Sequence, residues 1–198
     1  SKGIKVYGFD KSNDYIKEAL EKNIIDSKVE SIENINSKDF VKKVDLIIVS
    51  VPPKQTLDVL NNLKNIWNTD VTITDTSSVK NHIKLTDVSN IVLSHPIAGS
   101  DQSGISAANG DLFKNKKNVL CDPFKSKKGH FEKVDNFWKN ALQMRTSSMT
   151  VSEHDLVFAM TSHLPHLVSY ALIDSIRLSN HDVDDNAGGG LKEFLRLS

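Results

Sequence analysis

Val44-Asp45-Leu46-Ile47-Ile48-Val49-Ser50-Val51-Pro52-Pro53 is the stretch whose reading decides the fold class. Its middle is nearly continuous aliphatic and β-branched, which suits a parallel strand covered on both faces. The two prolines end it. From Thr56 to Trp67 the chain places Leu57, Leu60, Leu63 and Trp67 on one helical face, and Val71-Thr72-Ile73-Thr74-Asp75 is the next strand. Strand, helix and strand in that order form a βαβ unit, so the predicted architecture is α/β with a mostly parallel sheet. Upstream, Lys5-Val6-Tyr7-Gly8-Phe9-Asp10 is a short strand stopped by an acidic residue. Ser12 or Asn13 then caps a helix through Ile16, Ala19 and Leu20. Downstream, Ile91-Val92-Leu93-Ser94 is a strand that Pro96 is expected to stop.

From about Val151 the pattern changes. Glu153 to Leu178 is one long helical run, with Leu156, Ala159, Met160, Leu164, Leu167, Ala171 and Leu172 apolar. Pro165 lies inside it and is expected to kink it, because its ring displaces the carbonyl of Thr161. Residues 180–186 read as a loop, Gly188-Gly189-Gly190 as a breaker and Leu191 to Leu197 as the start of another helix. The expected division is residues 1–149, an α/β domain, followed by residues 150–198, an all-α domain. A doubly wound nucleotide domain opens with a strand and a glycine-rich turn, about 20 residues before an acidic residue that ends its second strand. Asp10 stands at that acidic place with nine residues before it, and the sequence holds no G-x-G-x-x-G. Both ends of the chain therefore read as cut.

Composition narrows the function classes. The 198 residues carry 25 Lys+Arg against 25 Asp+Glu, a formal net charge of zero. That balance lacks the concentrated positive field that nucleic acid or an anionic membrane surface requires. One cysteine, Cys121, makes neither an internal disulfide nor a thiolate metal cluster, which suits a reducing, cytoplasmic setting. No apolar run is expected to approach the roughly 20 residues of a spanning helix, and no signal-type segment opens the chain. No metal-ligand spacing and no Ser-His-Asp or Cys-His arrangement is visible. A cytoplasmic binding domain or enzyme remains.

The residues that can carry chemistry collect at strand ends, where open α/β sheets bind ligands. Asp10 is placed to accept the hydroxyls of a ribose, or else to start the turn that caps the Ser12 helix. Ser50-Val51-Pro52, Thr76-Ser77-Ser78 and Ser94-His95-Pro96 follow three apolar strands. His95 is the sharpest candidate, because an imidazole of ordinary pKa takes a proton from an alcohol near neutrality. On the long helix His154, Ser162 and His166 are separated by 8 and 4 residues. They recur near one stripe, with a drift of about 40° per four residues. Lys192 and Arg196 lie at i, i+4, on one helical face; a guanidinium there clamps a carboxylate, or else the pair is a solvated basic face. His82, His130, His163 and His181 are read as structural or solvated.

Four stretches together resemble the prephenate/arogenate dehydrogenases of tyrosine biosynthesis. They are Asp75-Thr76-Ser77-Ser78-Val79-Lys80, Ser94-His95-Pro96-Ile97-Ala98-Gly99-Ser100 with Ser103-Gly104 after it, His154-Asp155 with Ser162-His163-Leu164-Pro165-His166, and Gly188-Gly189-Gly190-Leu191-Lys192-Glu193-Phe194-Leu195-Arg196. The resemblance implies a Rossmann-type dinucleotide domain that lacks its first strand and glycine turn here, followed by the start of a helical dimerisation domain. It implies NAD as cofactor, with NADP as the alternative, a homodimer, and prephenate or arogenate as substrate. It casts His95 as the group that deprotonates the ring hydroxyl and Ser78 as the residue that orients it. His154, Ser162, His166, Lys192 and Arg196 become substrate ligands, with Arg196 on a carboxylate. Asp10, Ser50, Val51, Pro52, Thr76 and Ser77 become cofactor contacts. Ser77 stands where the family often has glycine, and Glu193 and Leu195 where aspartate and threonine are common.

Three other classes are weighed against this one, of which a structural or interaction domain fits least, since it needs no histidine stripe. An imino-acid or hydroxyacid dehydrogenase of similar layout would carry a lysine on the long helix, and none lies between Glu153 and Ile176. A non-catalytic ligand-sensing module would fit the missing glycine turn.

Overall fold

The computed structural model describes residues 3–99, 104–179 and 188–191. The chain divides into two compact units, residues 1–151 and residues 152–198.

In the first unit a short parallel pair, β1 (Tyr7–Gly8) with β2 (Ser27–Lys28), is joined by helix α1 (Asn13–Glu21). Ser12 caps α1 by accepting a hydrogen bond from the Tyr15 amide, which satisfies one orphan donor of the first turn. A Cβ at Gly8 would lie 2.7 Å from Ile25 Cδ1, so any larger residue there would force the Ile25 side chain to shift. Two one-turn helices, α2 (Ile32–Ile35) and α3 (Lys38–Val41), are capped in the same way by Ser31 and Ser37.

A second sheet has the order β3-β4-β5-β6-β7, built from Leu46–Val49, Thr72–Asp75, Ile91–Ile97, Lys117–Cys121 and Arg145–Ser148. The β3–β4, β4–β5 and β6–β7 pairs are parallel, and β5–β6 is antiparallel. Helix α4 (Pro53–Asn62) crosses from β3 to β4, with Pro53 in its first turn where the missing N–H is harmless. Its Leu60 is fully buried, as are Leu63 and Ile66 after it. Helix α5 (His130–Asn136) precedes β7 and continues into a π-helical stretch, Phe137–Ala141. Val92, Leu120, Val134, Trp138 and Met144 form the core on that side. Phe113 and Phe137 meet the Trp138 ring edge-on at 5.8 Å and 5.3 Å.

Two strand readings need correction. β5 does not stop at Pro96 but runs to Ile97. Its pairing with β4 ends at Val92, so beyond that point Pro96 has a ladder neighbour only in Asn118 of β6 and its missing N–H breaks no bond to β4. β3 is not covered along both faces, since Ile48 is exposed. In the doubly wound order the strand bearing the glycine turn lies between the counterparts of β1 and β3; among the described residues these two strands belong to separate sheets.

His130 illustrates a buried titratable group outside the strand ends. Its ring sits against β4, with Nδ1 2.8 Å from Thr72 Oγ1. Burial, helped by the Lys133 charge, pushes its pKa below the ordinary histidine range. The native state therefore binds fewer protons than the unfolded chain. This stabilising contribution is complete above the unfolded pKa of about 6.5 and is lost as the pH falls through the lowered native value. Thermal melts between pH 7.5 and 5.0 are expected to show a larger fall in Tm for the parent than for His130→Asn; parallel curves would contradict the assignment.

The second unit holds α6 (Val151–Phe158), a π-helical stretch (Ala159–His163) and α7 (Leu164–Leu178). The π stretch ends where the sequence placed the kink. Pro165 has no N–H for the ladder, and an i→i+5 turn absorbs the fault. The continuous run Val151–Leu178 is 28 residues long and is long and apolar enough, by length and composition, to cross a membrane. This corrects the expectation that no run approaches that length. Between Leu156 and Ile173 there is no Asp, Glu, Lys or Arg, and histidines, serines and a threonine fill the gaps between apolar residues. Leu156, Met160, Leu164 and Leu167 stand exposed along it at helical spacing. The Gly188–Gly190 breaker is also displaced, since residues 189–191 are helical. Glycine is tolerated there because first-turn amides have no partner within the helix. The expected loop at 180–186 and the rest of the final helix lie outside the described residues.

Candidate active site at the strand ends

Because β3, β4 and β5 are parallel, their carboxyl ends reach one edge of the sheet. This brings Ser50, Thr76, Ser77, Ser78 and His95 to that edge. Neighbouring strand ends are cross-linked. Thr76 Oγ1 donates to Ser50 Oγ at 3.2 Å, and the Thr76 amide donates to the Val49 carbonyl at 3.1 Å. Val51 and Pro52 lead directly from β3 into α4, Pro52 at its N-cap. His82, read as structural, lies with Nε2 2.9 Å from the Pro53 carbonyl and so ties the β4 loop to the start of α4.

The turn after β4 is wound tightly. The Ser77 amide donates to Asp75 Oδ2 at 3.0 Å, and the Ser77 hydroxyl donates to the Val79 carbonyl at 2.9 Å. The buried Ser77 hydroxyl thus serves the turn, while Ser78 beside it is half-buried at the rim. Lys80 folds back beneath, its ammonium 2.6 Å from both Asp75 Oδ2 and the Ser94 carbonyl oxygen. Both charged side chains are fully buried. Ser94 is held further by its amide on Asp75 Oδ1 at 3.1 Å and its hydroxyl on the Asp75 carbonyl at 2.5 Å. His95 follows at once, half-buried and paired with Val119 of β6. The sequence reading missed the Asp75–Lys80 pair. Its only signal was the five-residue spacing inside the quoted Asp75–Lys80 stretch.

Asp10 stands exposed beyond the carboxyl end of β1, with Oδ1 accepting the Ser12 amide at 2.7 Å. One oxygen closes the turn into α1, so the turn-forming role is realised. A carboxylate at a strand end fits the ribose portion of a dinucleotide. The sequence contains no glycine turn to fit the pyrophosphate.

The helical unit carries the remaining candidates. His154 is fully buried, with Nδ1 2.8 Å from Asp155 Oδ1 and its ring on Phe158 at 4.6 Å. His166 is exposed, with Nδ1 2.7 Å from the Ser162 carbonyl. A carbonyl only accepts, so Nδ1 carries the proton and Nε2 is the nitrogen turned outward. Twelve α-helical residues separating His154 from His166 would drift about 120°. The π stretch between them rotates less per residue and takes back part of that drift, so the stripe is better aligned than straight α geometry allows. Lys192 and Arg196 lie outside the described residues.

Family models, curated relatives and solved structures match the chain. The family model for the prephenate dehydrogenase nucleotide-binding domain matches residues 1–144, and that for the prephenate dehydrogenase dimerization domain matches residues 150–198. Prephenate dehydrogenase from Bacillus subtilis is 30% identical over 99% of this chain and 54% of its own length. Cyclohexadienyl dehydrogenase from Zymomonas mobilis is 30% identical over 87% of this chain and 59% of its own length. The chain thus spans about half the length of the curated relatives it matches. The crystal structure of A. aeolicus prephenate dehydrogenase in complex with hydroxyphenyl propionate and NAD+ superposes with a TM-score of 0.85 at 30% identity, covering 100% of this chain and 70% of that one. Synechocystis arogenate dehydrogenase, at 22% identity and a TM-score of 0.79 over 99% of this chain and 71% of that one, shares the fold. With both of its domains matched in order, the chain belongs to the prephenate dehydrogenase family.

Proposed function

We propose that the protein oxidises and decarboxylates prephenate to 4-hydroxyphenylpyruvate, using NAD+ as the hydride acceptor, as a cytoplasmic homodimer. The observation that carries the reading is His95 at the shared carboxyl edge, one residue from a serine whose amide, carbonyl and hydroxyl are all held by Asp75 and Lys80. His95 draws off the proton of the ring hydroxyl while hydride leaves the carbon that bears it, and Ser78 orients that hydroxyl. As the carbonyl forms, the bond to the ring carboxylate breaks, CO₂ departs and the bonding electrons complete the aromatic ring. His95 then returns its proton to the phenolate oxygen, so the protein needs only to orient the ring and hold one proton.

NAD+, when bound, supplies the hydride-accepting nicotinamide. Asp10 holds its ribose and repels a 2′-phosphate, which favours NAD+ over NADP+. Ser50, Val51, Pro52, Thr76 and Ser77 would border the dinucleotide through the strand-end loops. Arg196 takes a substrate carboxylate with Lys192 in support, and His154, Ser162 and His166 are further substrate ligands. None of these five is acidic, which suits the keto acid prephenate better than arogenate with its ammonium group. The exposed stripe of Leu156, Met160, Leu164 and Leu167 is the face covered by a second copy.

The test is NADH formation by the full-length protein with prephenate and, separately, with arogenate. Turnover with prephenate in excess over arogenate is expected. No reduced nicotinamide from either substrate would sink the reading, and a monomeric mass by sedimentation at micromolar concentration would sink the pairing.

A further inference from the structure

We propose that Lys80 and Asp75 act as a positioning pair, locking the turn that carries Ser78 to the strand that carries His95 without touching substrate. The kinetic arm of this proposal rests on the dehydrogenase reading above. The geometric arm does not.

A fully buried ammonium and carboxylate is an unexpected choice on stability grounds alone. Desolvating two charges is expensive, and well-packed apolar side chains often serve as well or better. What the pair provides is connection. Lys80 lies five residues after Asp75, so their 2.6 Å contact closes Thr76, Ser77, Ser78 and Val79 into a ring. Inside that ring the Ser77 amide is also on Asp75 Oδ2. The same ammonium holds the Ser94 carbonyl, and the same carboxylate holds the Ser94 amide. One ion pair therefore grips both main-chain polar groups of the residue before His95.

The backbone ladder does not perform this task. Register pairing between β4 and β5 ends at Thr74 with Val92. The stretch of β5 that delivers His95 is thus tied to the end of β4 through side chains: Asp75, Lys80, and the Thr74 hydroxyl on Ser94 Oγ at 3.0 Å. Loss of the tie displaces one reacting group relative to the other, and a misplacement of about 1 Å lowers turnover by about 100-fold.

The deciding variant is Asp75→Asn/Lys80→Met, which removes both charges together and so avoids leaving one buried alone. Its Tm is expected within a few degrees of the parent, while kcat stays reduced by about 10- to 100-fold and KM for prephenate and NAD+ moves by less than about threefold. A double variant that keeps both the Tm and the kcat of the parent would reduce the pair to a structural element and overturn the proposal. Hydrogen exchange on the unaltered full-length protein covers the case in which the variant does not fold. The Ser77 and Ser94 amides, bonded to one carboxylate, are expected to open together, with protection factors within about threefold. Protection differing by more than about tenfold would show two independent openings and overturn the tie. Absence of NADH formation in the parent would defeat the dehydrogenase reading and leave the exchange result to judge the tie by itself.

Discussion

His95→Asn is expected to lower kcat by about 10²- to 10⁴-fold, the usual worth of a positioned general base, with KM for NAD+ changed by less than about threefold. In barrier terms this is about 3–5 kcal/mol. Asparagine suits the test because it is polar, close in size and unable to take up a proton near neutrality. The strand has no reason to move. His95 is paired with Val119 through the backbone, and Ser94 before it keeps its bonds to Asp75 and Lys80. An unchanged melting temperature with collapsed turnover is the expected combination. Turnover within about threefold of the parent would remove His95 from the mechanism.

The second large effect concerns the core. Trp138→Ala is expected to destabilise the first unit by about 3–5 kcal/mol, the range for deleting a buried aromatic side chain. For a chain of this size that corresponds to a fall in Tm of roughly 6–20 °C. Trp138 is fully enclosed among Val92, Leu120, Val134 and Met144, with two phenylalanines against its ring edges. Its indole N–H is buried without a hydrogen-bond partner. Trp138→Phe therefore keeps most of the packing and discards an unmatched polar group, and its cost is expected below about 1.5 kcal/mol. Chemical denaturation of the three proteins checks both numbers together. An alanine variant no less stable than the phenylalanine one would show that the tryptophan does not carry this core.

The elements of the βαβ alternation, the Ser12 cap and the disturbance before Pro165 were legible because each signal is written within a dozen consecutive residues. The aliphatic run at 44–51, the proline pair after it and the serine before an apolar helix act through local sterics and hydrogen bonding. His95 could be singled out on the same footing, as an imidazole directly after a buried strand. β2 and β7 were not legible. β2 is two residues long and β7 reads Arg-Thr-Ser-Ser, so neither carries a periodic apolar signal. The exposed helical stripe was misjudged because histidines, serines and a threonine break up the apolar residues without adding a lasting charge.

Lys80 marks the dividing line. An isolated lysine reads as a solvated side chain, and nothing in its neighbours announces that it is enclosed. Its burial follows from a carboxylate five residues back and a carbonyl fourteen residues ahead, brought together only when β4 and β5 lie side by side. The same holds for β5 beyond Pro96, whose continuation depends on β6 arriving antiparallel from twenty residues away. Chemistry encoded in neighbouring residues could be read directly from the chain. Burial, pairing and the mutual placement of strand ends belong to contacts between distant segments, whose free energy no single stretch contains.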